Sequence, residues 1–95
     1  MRNAFNDALT GVARKDESLV LLVGDIGFRV FDDFREEFPD RFYNVGIAEA
    51  NMIGVAAGLA MSGMKPVVYT IIPFLVMRAF EQIRDDLCIQ DLPVI

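Results

Sequence analysis

Apolar and polar positions change their period along this chain in a regular order. Phe5, Ala8, Leu9 and Val12 share one face of a helix expected over roughly Asn3 to Arg14. Polar Lys15 to Ser18 follows, and then the unbroken aliphatic run Leu19 to Val23, stopped by Gly24 and Asp25. So short a run without alternation predicts a strand covered on both faces, as in a parallel sheet. A brief helix is expected around Val30 to Glu37, with Phe31, Phe34 and Phe38 on one side and Pro39 closing it; Phe42 to Val45 is the next strand. Ala48 to Ser62 reads as a helix ended by Gly63, Pro66 to Thr70 as a third strand, and Phe74 to Leu87 as one further helix. On that last helix Leu75, Ala79, Ile83 and Leu87 form a stripe opposite Arg78, Glu81, Arg84 and Asp85. Asp91 to Ile95 begins another strand. The alternation predicts an α/β fold, a largely parallel sheet flanked by helices. Such sheets bind ligands beyond the carboxyl ends of their strands. Gly24 to Gly27, Gly46 to Glu49 and Thr70 to Phe74 all fall on that rim.

The helix from Ala48 to Ser62 breaks the usual amphipathic rule. After Glu49 it carries no charge, and Asn51 and Ser62 are its only other polar side chains. A helix apolar on every side has to be sandwiched. Its alanines and glycines let another backbone come close. Glu49 therefore stands at the mouth of a dry interface, where a carboxyl group is costly unless it is paired or protonated. On its own it reads as a first-turn acid answering the helix dipole, worth up to about 1 kcal/mol. Gly46 has a backbone reason to be glycine, because the chain turns sharply there from strand into helix.

The whole segment Arg41 to Pro66, RFYNVGIAEANMIGVAAGLAMSGMKP, resembles the signature of the pyrimidine-binding domain of transketolase-like thiamine diphosphate enzymes. The resemblance continues through Phe74 and Arg78 to Arg84, and spans nearly all of the chain. It implies the thiamine diphosphate-binding fold, here truncated, with residues 1–95 a partial pyrimidine domain. It further implies that Glu49, the acid of GIAE, touches the cofactor's aminopyrimidine and takes part in its activation. Phe74 resembles the aromatic residue that stacks on that ring. Asp25, Gly46 and Ile47 are the further residues it places beside the cofactor, and Arg78 a residue near substrate. Asp25 also reads as a turn former, Phe74 as a core or helix-start residue, and Arg78 as half of a surface ion pair with Glu81.

Composition bounds these expectations. A domain this small buries only about 60% of its unfolded surface. Yet 54% of its residues are hydrophobic and its mean hydropathy is +0.37. The surplus points to a subunit interface or to a missing remainder. A net charge of −5 argues against nucleic-acid binding. No apolar run suits a membrane span, and the start carries no signal-peptide pattern, so a cytoplasmic location is the default expectation. Cys88 is the only cysteine and reads as a small core residue.

The chain has no histidine, which removes Ser-His, Cys-His and His-metal chemistry from within it. By the resemblance, the cofactor is thiamine diphosphate, with a divalent metal (Mg or Ca) held by a partner domain or subunit carrying a GDG…N motif, not by this chain. Gly24-Asp25-Ile26-Gly27 is not that motif. The family's histidine-bearing substrate loops are absent too, so a fragment or truncated subunit is expected, laid out like the second subunit of a split transketolase in a dimer or heterotetramer. The activity implied is transfer of a two-carbon ketol unit between sugar phosphates. Deoxyxylulose-phosphate synthase and the β-subunit of a 2-oxoacid dehydrogenase are alternatives. A non-catalytic α/β dimerisation module, with Glu49 a mere capping acid, is the reading from another class.

Overall fold

Leu19–Val23 forms the central strand, β1, and every one of its five residues is buried. The computed structural model describes residues 1–95 and flanks β1 with two parallel neighbours, β2 (Phe42–Asn44) and β3 (Lys65–Tyr69), in the order β2-β1-β3. Leu21 is the register point, opposite Phe42 on one side and Val67 on the other. Beyond β3, the Ile95 carbonyl accepts from Val68 N–H at 2.7 Å and Ile95 N–H donates to Pro66 O at 3.1 Å. The last residues thus pair along β3, as their apolar pattern predicts.

Strand residues alternate between two cores, so helices cover both faces of the sheet. On one face α1 (Arg2–Ala13) and α2 (Asp32–Glu37) supply Leu9, Ala13 and Phe34, which pack with Phe31 against Leu19, Leu21, Val23 and Val67. On the other, α3 (Glu49–Met61) sets Met52 and Ala56 against Leu22. The apolar helix is covered on one side only. Met52, Ile53, Ala56, Ala57 and Ala60 are buried, while Asn51, Gly54, Val55, Gly58 and Met61 face outward.

Three expectations are corrected. The helix predicted from Val30 begins at Asp32, because Arg29 is left-handed (φ 66°) and a turn back to the Gly27 carbonyl occupies Val30 and Phe31. The helix predicted from Phe74 to Leu87 begins earlier and is broken. It comprises α4 (Ile72–Arg78), α5 (Phe80–Gln82) and a wide, π-type segment Ile83–Cys88. The break falls at Ala79, φ −115° and ψ 19°, the segment's only fully buried residue. All three pieces pack against α3, and this tertiary seat outweighs the helix propensity of a stretch without Gly or Pro beyond Pro73. Cys88 is exposed and so is not the core residue expected.

Candidate active site

At the carboxyl end of the sheet the chain leaves β1, β2 and β3 through three adjacent loops. Gly24 makes their approach possible. A Cβ there would stand 3.0 Å from Thr70 Oγ1 and 3.6 Å from the Gly46 carbonyl oxygen. Asn44, the last residue of β2, then links the first two loops. Its Oδ1 accepts from the N–H groups of Asp25 and Gly46, each at 3.0 Å, and its Nδ2 donates to Asp25 Oδ1 at 2.9 Å. These bonds hold two left-handed residues, Asp25 at φ 54° and Gly46 at φ 79°. Asp25 tolerates that conformation because a short acidic side chain can bond locally; Gly46 adopts it without penalty.

The three loops enclose a cavity of about 130 Å³ lined by Asp25, Ile47, Glu49 and Phe74 together with Gly24, Ile26, Thr70 and Ile71. That is room for one small ring, since a liquid water occupies about 30 Å³. Four of the residues singled out from the sequence therefore share one hollow, and Gly46 supplies the turn between them. Larger hollows exist, such as one of about 480 Å³ beside Met1, Phe5 and Tyr69. It has no acid in its lining. Tyr69 belongs to an aromatic cluster, edge-on to Phe31 with centroids 4.7 Å apart and stacked with Phe5 at 6.2 Å.

Glu49 is the unusual member. It opens α3 with only 4% of its side chain exposed, and its Oε1 is buried without any hydrogen-bond partner. An unsatisfied buried acceptor is costly, and in a native fold it calls for an explanation. Its Oε2 lies 3.5 Å from Arg78 Nη1. Arg78 in turn places its guanidinium carbon 3.9 Å from the centroid of the Phe74 ring. Arg78 therefore answers Glu49 and not Glu81, which pairs with Arg84 at 3.7 Å. Sequence reasoning missed Asn44 altogether; its place between a strand and the Gly46 turn, with an amide able to bond two loops, was the available signal.

Chemically, the hollow is lined by an aromatic residue, by an acid with one buried and unpartnered carboxyl oxygen, and by the apolar side chains of Ile26, Ile47 and Ile71. Such a site fits a small planar heterocycle with a protonatable ring nitrogen. The chain is similar to several known proteins. A 1-deoxy-D-xylulose-5-phosphate synthase from Natranaerobius thermophilus is 47% identical over 92 residues, covering 96% of this chain and 14% of that protein. A protein of the Rhodococcoides fascians fasciation locus, described as an uncharacterized 33.6 kDa protein, is 44% identical over 92 residues, covering 97% of this chain and 30% of its own length. A solved structure described as a split gene transketolase, inactive beta4 tetramer, superposes with a TM-score of 0.89 at 40% identity, covering 98% of this chain and 31% of that one. The chain thus spans less than a third of each of these relatives. With the family model for the transketolase pyrimidine-binding domain matching residues 1–95 from end to end, the chain belongs to that family.

Proposed function

We propose that this chain is part of a thiamine diphosphate-dependent transketolase, moving a two-carbon ketol unit between sugar phosphates, and that Glu49 is the acid that meets the aminopyrimidine of the cofactor. The observation that carries this reading is the buried, unpartnered Oε1 of Glu49 beside Phe74 in one cavity. When bound, thiamine diphosphate supplies the carbanion chemistry of such a transfer. The chain's own task is narrower. Glu49 holds or releases a proton at the ring nitrogen N1′ and Phe74 offers its face to the pyrimidine, with Ile47 and Ile71 as apolar lining beside them. Asp25 and Gly46 shape the rim. The diphosphate and its metal fall to a partner chain or domain with the GDG…N motif, since a site built from this rim alone supplies only the pyrimidine half.

The test is Glu49→Gln in the complete assembly. Glutamine keeps the size and one acceptor but cannot exchange the proton, so exchange of the cofactor's C2 proton, followed by NMR, is expected to be largely lost while the fold remains. Full exchange in that variant would sink the assignment. A second reading, deoxyxylulose-phosphate synthase, is favoured by the identity of 47% to a protein of that name. Product analysis separates them: ketol transfer from a ketose phosphate to an aldose supports the first, and formation of 1-deoxy-D-xylulose 5-phosphate the second.

A further inference from the structure

Glu49 has one ion-pair partner, and it comes from another element. Arg78 closes α4 one helical turn beyond Phe74, so its stacking on that ring is an i, i+4 contact on one helix face. The same guanidinium reaches Glu49 Oε2. Glu49 and Phe74 line the cavity, whereas Arg78 does not. One cation thus braces the acid and the ring from outside the space they enclose.

Charge and burial decide what this arrangement does. The Glu49 side chain is 4% exposed and that of Arg78 51%. A buried carboxylate without a partner is costly, while a half-exposed guanidinium keeps its outer edge in water. Arg78 therefore compensates the acid's charge without itself being buried. It engages only Oε2, so the carboxyl group is turned and Oε1 stays unpartnered.

We propose that Arg78 is a positioning residue for the cofactor-activating acid: its guanidinium anchors Glu49 through Oε2 and backs the Phe74 ring, fixing acid and ring relative to each other. This rests on the reading of Glu49 as the group that meets the aminopyrimidine. It gives Arg78 a different task from the substrate contact implied by family resemblance.

The test compares Arg78→Met, Arg78→Lys and Glu49→Gln in the complete enzyme. Two readouts need no substrate: affinity for thiamine diphosphate by titration, and the rate of exchange of its C2 proton. Steady-state kinetics give the split between kcat and KM. Arg78→Met is expected to weaken cofactor affinity and slow exchange by about tenfold or more each, as for loss of one charge-assisted contact, with substrate KM unchanged. Arg78→Lys keeps the charge and loses the flat stacking face, so it is expected to restore exchange more fully than affinity. If Arg78→Met does not fold, that pattern in the lysine variant carries the test. Unaltered exchange and affinity with a raised KM would overturn the proposal and return Arg78 to the substrate. Exchange lost in Glu49→Gln but unaltered in Arg78→Met removes only the role of Arg78; exchange unaltered in both removes the reading of Glu49 beneath it.

Discussion

Asn44 clasps Asp25 from two directions, accepting from its backbone N–H at 3.0 Å and donating to its carboxylate at 2.9 Å. A third bond, from Gly46 N–H, makes this amide the tie between the loops after β1 and β2. Asn44→Ala is expected to cost about 1–2 kcal/mol in denaturant unfolding, modest because the site is exposed. Asn44→Asp retains the acceptor but sets a second carboxylate against Asp25, and is expected to be no better than alanine. An aspartate variant as stable as wild type would show that the clasp does not depend on the Nδ2 donor.

Gly27 and Gly46 separate steric from torsional demand. Both are left-handed, at φ 86° and 79°. A Cβ on Gly27 would lie 2.7 Å from Phe31 Cδ2, but one on Gly46 meets nothing within 4 Å. Gly46→Ala is therefore expected to cost about 1–2 kcal/mol for the torsion alone. Gly27→Ala adds overpacking against a buried ring and is expected to cost about 2–5 kcal/mol. Equal losses in paired thermal melts would contradict this.

Arg41 gathers the end of the first helix. Its guanidinium donates to the carbonyls of Ala13 and Asp16, at 3.1 and 2.9 Å, and stacks on Phe38 at 4.1 Å. A cation at the carboxyl end of a helix satisfies orphan acceptors and complements the dipole. Arg41→Met keeps the stem and loses these bonds, an expected cost of about 2–3 kcal/mol. Hydrogen exchange should then rise first in the segment from Ala13 to Leu19.

Asp16 predicts an acid limb of stability. The hydrogen bond from Lys65, followed by those from Ser18, lowers its carboxyl from 3.8 to about 2. A depressed folded-state value means the contribution is present in full above the unfolded value. It is lost as pH falls from about 4 through about 2. Wild type and Asp16→Asn are expected to differ in melting temperature at neutral pH and to converge through that window. A constant gap down to pH 2 would disprove the linkage.

Phe74 is half-buried and is one of the residues lining the cavity. Under the proposed function, Phe74→Ala weakens thiamine diphosphate binding in the assembled enzyme by about 1–3 kcal/mol and costs the fold less. Unchanged cofactor affinity with a large fall in melting temperature would remove Phe74 from the site.

The three strands, the shared rim and the acid at the mouth of α3 were legible in the sequence because each follows from a local pattern: an aliphatic run, a sharp glycine turn, a helix without polar residues; the order of the strands was not. What escaped was set by contacts between distant segments. Nothing near Arg78 announces that it turns toward Glu49 instead of Glu81, and nothing near Ala79 foretells a break, since both depend on where α3 lies. The late start of α2 follows from the left-handed Arg29, a conformation that residue type does not reveal. Asn44 and Arg41 stood inside the motif Arg41 to Pro66, but Asp25 and Ala13, which they bond, lie 19 and 28 residues earlier in the chain.

The central place of β1 has a consequence for how the chain reaches this state. No two strands are joined by a hairpin, so each pairing of β1 closes a loop through a helix, and the loop to β3 is about twice as long as that to β2. Doubling a loop adds only about 0.6 kcal/mol of closure entropy, so length alone does not dictate which pairing forms first. During synthesis, however, Leu19–Val23 emerges before either neighbour. Until Asn44 and then Tyr69 have followed, the most apolar strand of the sheet has both edges bare, and that interval is when this chain is most exposed to association with others of its kind.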